Sequence, residues 1–180
     1  MQITSGFIFL VFLTAQRLVE LWWSKRNEAR LKAAGGAVYE SRYWPLVMIL
    51  QAVWMVGMWL LAYDHAIVPV FFALFVATFA LRVWVLATLG RYWTINTIVI
   101  PGSKLVTGGP YRFLRHPNYV VMACEMAVVP LTLGLPIFAV IFFVLAVLVL
   151  WIRISYENVA LAAADPSSRP DGAQPSSSRL

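Results

Sequence analysis

Charge is scarce in this chain. Asp, Glu, Lys and Arg make up 12% of its 180 residues, against 61% hydrophobic residues. A soluble domain carries roughly a quarter charged residues, so the shortage excludes an ordinary soluble enzyme, and the mean hydropathy of +0.77 agrees. Cysteine occurs once, at Cys124, which excludes an intrachain disulfide and any Cys-rich metal site. The two histidines, His65 and His116, are too few for a His-based metal centre, and no metal is expected. Acid is also short, with 8 acidic residues against 14 basic ones and a net charge of +6. In a soluble protein that excess would point to nucleic acid. In an apolar chain it is first a topology signal.

What is present in quantity is long apolar sequence. A bilayer core takes about 20 apolar residues per helix, and five stretches qualify or nearly qualify: residues 3–23, 44–62, 67–89, 119–133 and 136–152. Gly134 and Pro136 punctuate the last two, which read as a C-terminal helical hairpin, because a single helix of ~34 residues would overshoot the bilayer. The first stretch lacks a basic leading region and is broken by Arg17 and Glu20, so it reads as a span rather than a signal peptide. The fold class is therefore all-α and polytopic, with a membrane-embedded domain over residues 1–161. The tail at 162–180 is rich in Ser, Pro and Gly, a disordered composition.

Loop charge sets the orientation. Lys25, Arg26, Arg30, Lys32 and Arg42 follow the first span; Arg91, Lys104, Arg112 and Arg115 follow the third; Arg169 and Arg179 lie in the tail. The other side carries Asp64 and His65. All the loop Lys and Arg fall on one side, which predicts an N-terminus outside and a C-terminus in the cytosol, and the basic excess then needs no nucleic-acid partner.

Six charges lie in or at the edge of the spans: Arg17, Glu20, Arg82, Glu125, Arg153 and Glu157. All fall in the predicted cytosolic half. Two readings stay open for Arg17 and Arg82, snorkelling to the interface or pairing inside the membrane. Glu125 has too short a stem to snorkel and is expected to pair with an arginine of a neighbouring span. Arg153 and Glu157 are spaced i, i+4, but in the less favourable order and with the acid near a helix C-terminus. A pair poorly suited to stabilising its own helix is a candidate for binding a ligand.

The segment Arg91–Tyr119 is the most specific in the chain. Pro101-Gly102 and Gly108-Gly109-Pro110 are turn signals, and the IVI and KLV runs they bound allow short extended pieces. Arg112, Arg115 and His116 supply donors, Pro117 suits the first turn of the next helix, and the preceding residues then sit where an anion is well received. Tyr111 and Tyr119 add flat faces and hydroxyls, although a basic loop lying on lipid headgroups would have the same composition. Trp22, Trp23, Trp44, Trp84, Trp93 and Trp151 near the inner boundary read mostly as interfacial anchors, with room for one or two of them to line a substrate entrance.

The run G-P-Y-R-x-x-R-H-P-N-Y, followed by an apolar hairpin and then R-x-x-x-E, resembles the isoprenylcysteine carboxyl methyltransferase family, integral-membrane enzymes that use S-adenosylmethionine. The likeness extends over about residues 17–161 and is strongest from Lys104 to Tyr119. The stretch RLVELWWSKRNEARLKAAGG is similar to a bacterial branch, some members of which O-methylate alkylpyrones or alkylresorcinols. The resemblance implies S-adenosylmethionine held by Ser103, Lys104, Leu105 and Val106 through their backbone and by Tyr111, His116 and Glu157, with Asn96 nearby. It also implies Arg153 as the group that fixes the acceptor anion, with Glu157 beside it in the catalytic set. The acceptor would be a lipophilic or prenylated molecule reached from the bilayer. Many members carry two consecutive acidic residues where this chain has Glu157-Asn158. A carboxylate or acidic enol would arrive ionised, whereas a phenol would need a base, with His116 and Glu157 both open as candidates. Two other readings remain: an NADPH-dependent sterol-type reductase, since those enzymes carry a similar R-H-P-N-Y segment, and a non-catalytic lipid-binding protein.

Overall fold

Five helices cross and recross one bundle: α1 (Ser5–Ala33), α2 (Trp44–Ala62), α3 (Pro69–Leu89), α4 (Pro117–Thr132) and α5 (Pro136–Ala164). The computed structural model describes residues 4–39, 44–99, 108–114 and 116–164; for 37–39, 44, 97, 99 and 153–164 only the backbone is described. The only strands among the described residues, β1 (Ala37–Tyr39) and β2 (Thr97–Val99), pair antiparallel with Val38 opposite Ile98. β2 overlaps the IVI run in which an extended piece was expected. The protein is thus an all-α integral membrane protein with one short ribbon at its edge.

Three helical stretches are long and apolar enough to cross a membrane: Ser5–Ala33, Pro45–Ala62 and Pro69–Tyr92, the last taking in a 3₁₀ turn at Gly90–Tyr92. Pro136–Ile152 is a shorter apolar stretch. The α4–α5 connection is the tight hairpin the punctuation predicted: Gly134, at φ 71°, turns the chain as only glycine does readily, and Leu135 N–H reaches back to Pro130 O at 2.9 Å. With 29 residues, α5 is about 43 Å long and exceeds the ~30 Å bilayer core. It reaches Ala164, three residues into the segment assigned to the tail; residues 165–180 lie outside the described residues.

Inside lipid there is no hydrophobic drive to bring helices together, so packing has to do it. Phe9 of α1 meets Phe75 of α3 edge-on at 4.8 Å, and Phe75 stacks on Phe79 at 5.9 Å. Leu10, Trp54, Met58, Met122, Met126, Val129 and Ala146 continue this core through all the other helices. Large apolar side chains such as Leu60, Val70 and Ile137 are exposed on the outside, which suits a lipid-facing surface.

The bundle has two distinct ends. At one, His65 Nδ1 lies 2.7 Å from Leu133 O, and Val68 N–H donates to Thr132 O at 2.9 Å, so the α2–α3 loop and the α4–α5 hairpin are fastened together. At the other, the basic end, α1 runs ten residues past the expected membrane exit at Trp23. The reason is a buried stripe, Glu20, Ser24, Asn27 and Leu31, at helical spacing. Ser24 Oγ accepts from Ile95 N–H at 2.8 Å, and Asn27 Nδ2 donates to Gly90 O and Trp93 O at 3.0 and 2.8 Å. The extension of α1 therefore positions residues 90–96, which form part of the site below.

Candidate active site

A cavity of about 510 Å³ opens at the basic end and reaches down among the helices. That volume is within the roughly 300–1,000 Å³ typical of small-molecule and cofactor sites. Its residues sort into a polar, aromatic part and a deeper part with an ionic layer.

The first part is built by the segments between helices. Tyr92, Trp93 and Asn96 come from the stretch docked on α1, Tyr111 from a 3₁₀ turn at Gly109–Arg112, and His116, Asn118 and Tyr119 from the start of α4. The turn bearing Tyr111 sits against α3 because Gly109 can adopt φ 56° and carries no side chain; a Cβ there would lie 2.5 Å from Thr88 Oγ1. Burial pushes the Tyr111 phenol up to about 12, so near neutral pH it keeps its proton and is able to donate a hydrogen bond. Pro117 opens α4, as predicted, and the His116 ring stacks on Tyr119 at 5.1 Å with the planes 5° apart. Asn96 Nδ2 donates to Glu28 Oε2 at 3.0 Å, and Glu28 in turn pairs with Lys32 at 2.6 Å. This fixes the orientation of the Asn96 amide.

The deeper part holds the charges. Arg82 Nε and Nη2 donate to the two oxygens of Glu20, each at 2.5 Å, and its Nη1 donates to Glu125 at 2.8 Å. Arg17 donates to Glu20 at 3.2 Å and to Glu125 at 2.6 Å, while Gln16 adds a bond to Glu20 at 3.0 Å. Two guanidinium groups and two carboxylates thus form a neutral cluster joining α1, α3 and α4. The arginine partner expected for Glu125 is present, and there are two. Snorkelling is excluded for Arg17 and Arg82, because both are held inward by carboxylates. Arg17, Glu20 and Arg82 line the cavity, together with Gln51, Trp54 and Met55 of α2.

Of the residues singled out from the sequence, Tyr111, His116 and Asn96 share this cavity. Ser103, Lys104, Leu105 and Val106 lie outside the described residues, as does Arg115. Arg153 and Glu157 lie on α5, where only the backbone is described. Sequence reasoning missed the α2 wall. Gln51, a lone amide in an otherwise apolar span, was the available signal. Trp93, 4% exposed and with the Trp23 ring 5.6 Å away, is a cavity wall rather than an interfacial anchor, which agrees with the expectation that one or two of the tryptophans line the substrate entrance. Trp22, Trp84 and Trp151 are exposed as expected.

Residues 69–163 match the isoprenylcysteine carboxyl methyltransferase (ICMT) family. The match takes in α3, the segment carrying Tyr111 and His116, α4 and nearly all of α5. The chain is also similar to uncharacterized protein YpbQ of Bacillus subtilis (strain 168), with 27% identity over 167 residues covering 86% of this chain and 95% of that protein. No solved structure matches the chain. The matched residues amount to just over half of the chain and contain the aromatic, polar part of the cavity, and on that ground the chain belongs to the ICMT family of integral-membrane methyltransferases.

Proposed function

We propose that this protein transfers a methyl group from S-adenosylmethionine to an oxygen of a lipophilic acceptor, at the cytosolic face of the membrane, with its N-terminus outside. The observation that carries this reading is the cavity itself. A single space is lined at the basic end by Tyr111, His116, Asn96 and Asn118, and deeper by apolar side chains of α2, α4 and α5. A water-soluble cofactor and a bilayer-borne acceptor can meet there.

The residues present fit such a cofactor. Tyr92 and Trp93 offer flat apolar faces for a purine, and the amides of Asn96 and Asn118 can bond to ribose hydroxyls or an amino-acid carboxylate. His116 and the protonated Tyr111 supply further donors. The backbone of Ser103–Val106 belongs to the same binding set by resemblance to the family. When bound, S-adenosylmethionine supplies an electrophilic methyl group on a sulfonium.

The protein's own task is positioning and charge placement. Arg153 is assigned to hold the acceptor oxygen as an anion, and Glu157 to offset the positive charge beside it. Backbone register supports both assignments. Leu150 lines the cavity, and positions 150, 153 and 157 fall on one face of α5. Counted from Pro136, residue 153 lies about 26 Å and residue 157 about 32 Å along the helix, which is the membrane boundary on the basic side. The excess of Lys and Arg at that end supports a cytosolic placement.

The test is incubation of membranes containing the protein with methyl-labelled S-adenosylmethionine, followed by identification of the labelled lipid. Label in a lipid ester or ether is expected, and Arg153→Ala and Glu157→Gln should abolish it without loss of folded protein. Turnover near normal in both variants would defeat the assignment of those residues. An alkylpyrone or alkylresorcinol acceptor, suggested by the early-chain resemblance, would be recognised in the same assay.

A further inference from the structure

The ionic layer is more than a fastening between helices. Charges inside a membrane span are costly and concentrate at functional sites, and a buried ion pair is often no more stabilising than apolar residues of the same size. The Arg17–Glu20–Arg82–Glu125 cluster nevertheless faces the cavity with three of its four members. Beside it on α2 are two polar side chains the cluster does not use. The Gln51 side chain has no hydrogen bond among the described residues. Trp54 is 2% exposed, and its buried indole N–H has no hydrogen-bond partner among the described residues. An unsatisfied buried donor is costly, so its retention in a cavity wall calls for a partner.

These groups lie at a similar depth. Gln51 is about 10 Å and Trp54 about 15 Å into α2 from Trp44, and Arg82 is about 10 Å from the end of α3. Arg82 uses three of its N–H groups on the carboxylates, while Arg17 uses two of its five. The cluster thus holds Arg17 in place and leaves it donors to spare. The apolar lining of the cavity includes Val47, Met48, Met55 and Met122. Unbranched methionines adapt readily to an irregular apolar ligand.

Arg17, Gln51 and Trp54 also share a position in the chain. All three come from α1 and α2, before the family-matched residues begin at 69. We propose that Arg17, Gln51 and Trp54 form the acceptor-recognition floor of the cavity: a donor-rich surface that binds a carbonyl or enol oxygen on the head of a membrane lipid, separate from the oxygen that is methylated. This rests on the methyl-transfer reading above and goes beyond it by dividing the labour. The family-matched part holds the cofactor and performs the transfer; the first two helices choose the acceptor. The substrate class is then a lipid with an apolar tail and a head bearing at least two oxygen functions. A lipid with a lone hydroxyl would leave the N–H groups of the floor unpaired and be rejected.

The test uses the full-length protein in nanodiscs, labelled S-adenosylmethionine, and a titration with total lipid extract from the organism that makes the protein. Trp54→Phe deletes the indole N–H and keeps one of its two fused rings. It should raise the KM for the extract roughly tenfold, the loss of one hydrogen bond left unpaired. Arg17→Gln should do the same or more, and Arg82 still engages both carboxylates in that variant. In both, kcat at saturating extract and the Kd for S-adenosylhomocysteine should stay within about twofold of the parent, since uniform binding of the acceptor is what is lost. Trp22→Phe, at an exposed position away from the cavity, is the control and should change nothing. An unchanged KM in both Trp54→Phe and Arg17→Gln would overturn the proposal, as would a rise in Trp54→Phe that Arg17→Gln does not share, the mark of lost packing alone at a buried ring; either result leaves methyl transfer intact. If the parent protein labels no lipid, the methyl-transfer reading falls and this inference with it.

Discussion

Removing Arg82 should be far more damaging than removing Arg17, although both belong to one cluster. Arg82 donates three hydrogen bonds to two carboxylates at 2.5–2.8 Å and its side chain is 6% exposed. Arg17 donates two, at 2.6 and 3.2 Å, and is 18% exposed. In Arg82→Met, Glu20 and Glu125 are left sharing one guanidinium in a water-poor layer. Breaking a buried pair by deleting one partner costs about 3–5 kcal/mol, and that is the loss expected. In Arg17→Met, Arg82 still meets both carboxylates, so the loss should be nearer 1–2 kcal/mol, that of charge-assisted hydrogen bonds partly replaced by the remaining partner. The double variant Arg82→Met/Glu125→Met keeps the Arg17–Glu20 pair and removes the orphaned carboxylate, so it should be more stable than Arg82→Met alone. The assay is reversible unfolding in mixed micelles by SDS titration, followed by tryptophan fluorescence. Equal, small losses for Arg82→Met and Arg17→Met, or a double variant as weak as the two single losses added together, would refute the account of the cluster as a coupled buried network.

Tyr111 gives a pH prediction. Its phenol is neutral in the folded protein up to about 12, against an ordinary value near 10. The folded state therefore holds its proton more tightly than the unfolded state does. The associated stability is complete below pH ~10 and is lost as pH rises towards 12. Tyr111→Phe should flatten the alkaline fall in stability between those limits, and the rate profile from pH 7 to 9 should show no Tyr111 ionisation. Gly109→Ala should weaken binding of S-adenosylhomocysteine. It strains a residue at φ 56° and drives a Cβ onto Thr88 Oγ1, at a cost of roughly 1–3 kcal/mol. Adding Thr88→Ala should restore part of the affinity, because it relieves the collision but not the backbone strain.

Much of this was legible in the sequence because the bilayer imposes simple rules. Five apolar runs became five helices, and Gly134 with Pro136 gave the hairpin. The short stem of Glu125 was enough to require an arginine partner, and Arg17 and Arg82 both supply one. Which of the two arginines would do so could not be read, since snorkelling and pairing need the same residue at the same depth. The continuation of α1 past Trp23 was hidden because its cause is tertiary: Ser24 and Asn27 are polar, yet they are buried by hydrogen bonds to a segment some 65 residues away. The cavity face of α2 was hidden for a related reason. An apolar helix offers lipid and cavity the same kinds of side chain, and only packing decides that Met55 faces inward while Val53 and Val56 are exposed. Tyr111 and His116 could be singled out because they stand in a polar, turn-rich segment between apolar runs, inside the G-P-Y-R-x-x-R-H-P-N-Y pattern.

The central claim is that the cavity at the basic end binds the methyl donor. Equilibrium binding of S-adenosylhomocysteine and of NADPH to the purified protein, alongside Tyr111→Phe and His116→Ala, tests it most directly. Saturable binding of S-adenosylhomocysteine is expected, weakened roughly tenfold in each variant by loss of a hydrogen bond, with no saturable binding of NADPH. Saturable NADPH binding with no response to S-adenosylhomocysteine, or S-adenosylhomocysteine affinity untouched in both variants, would contradict it.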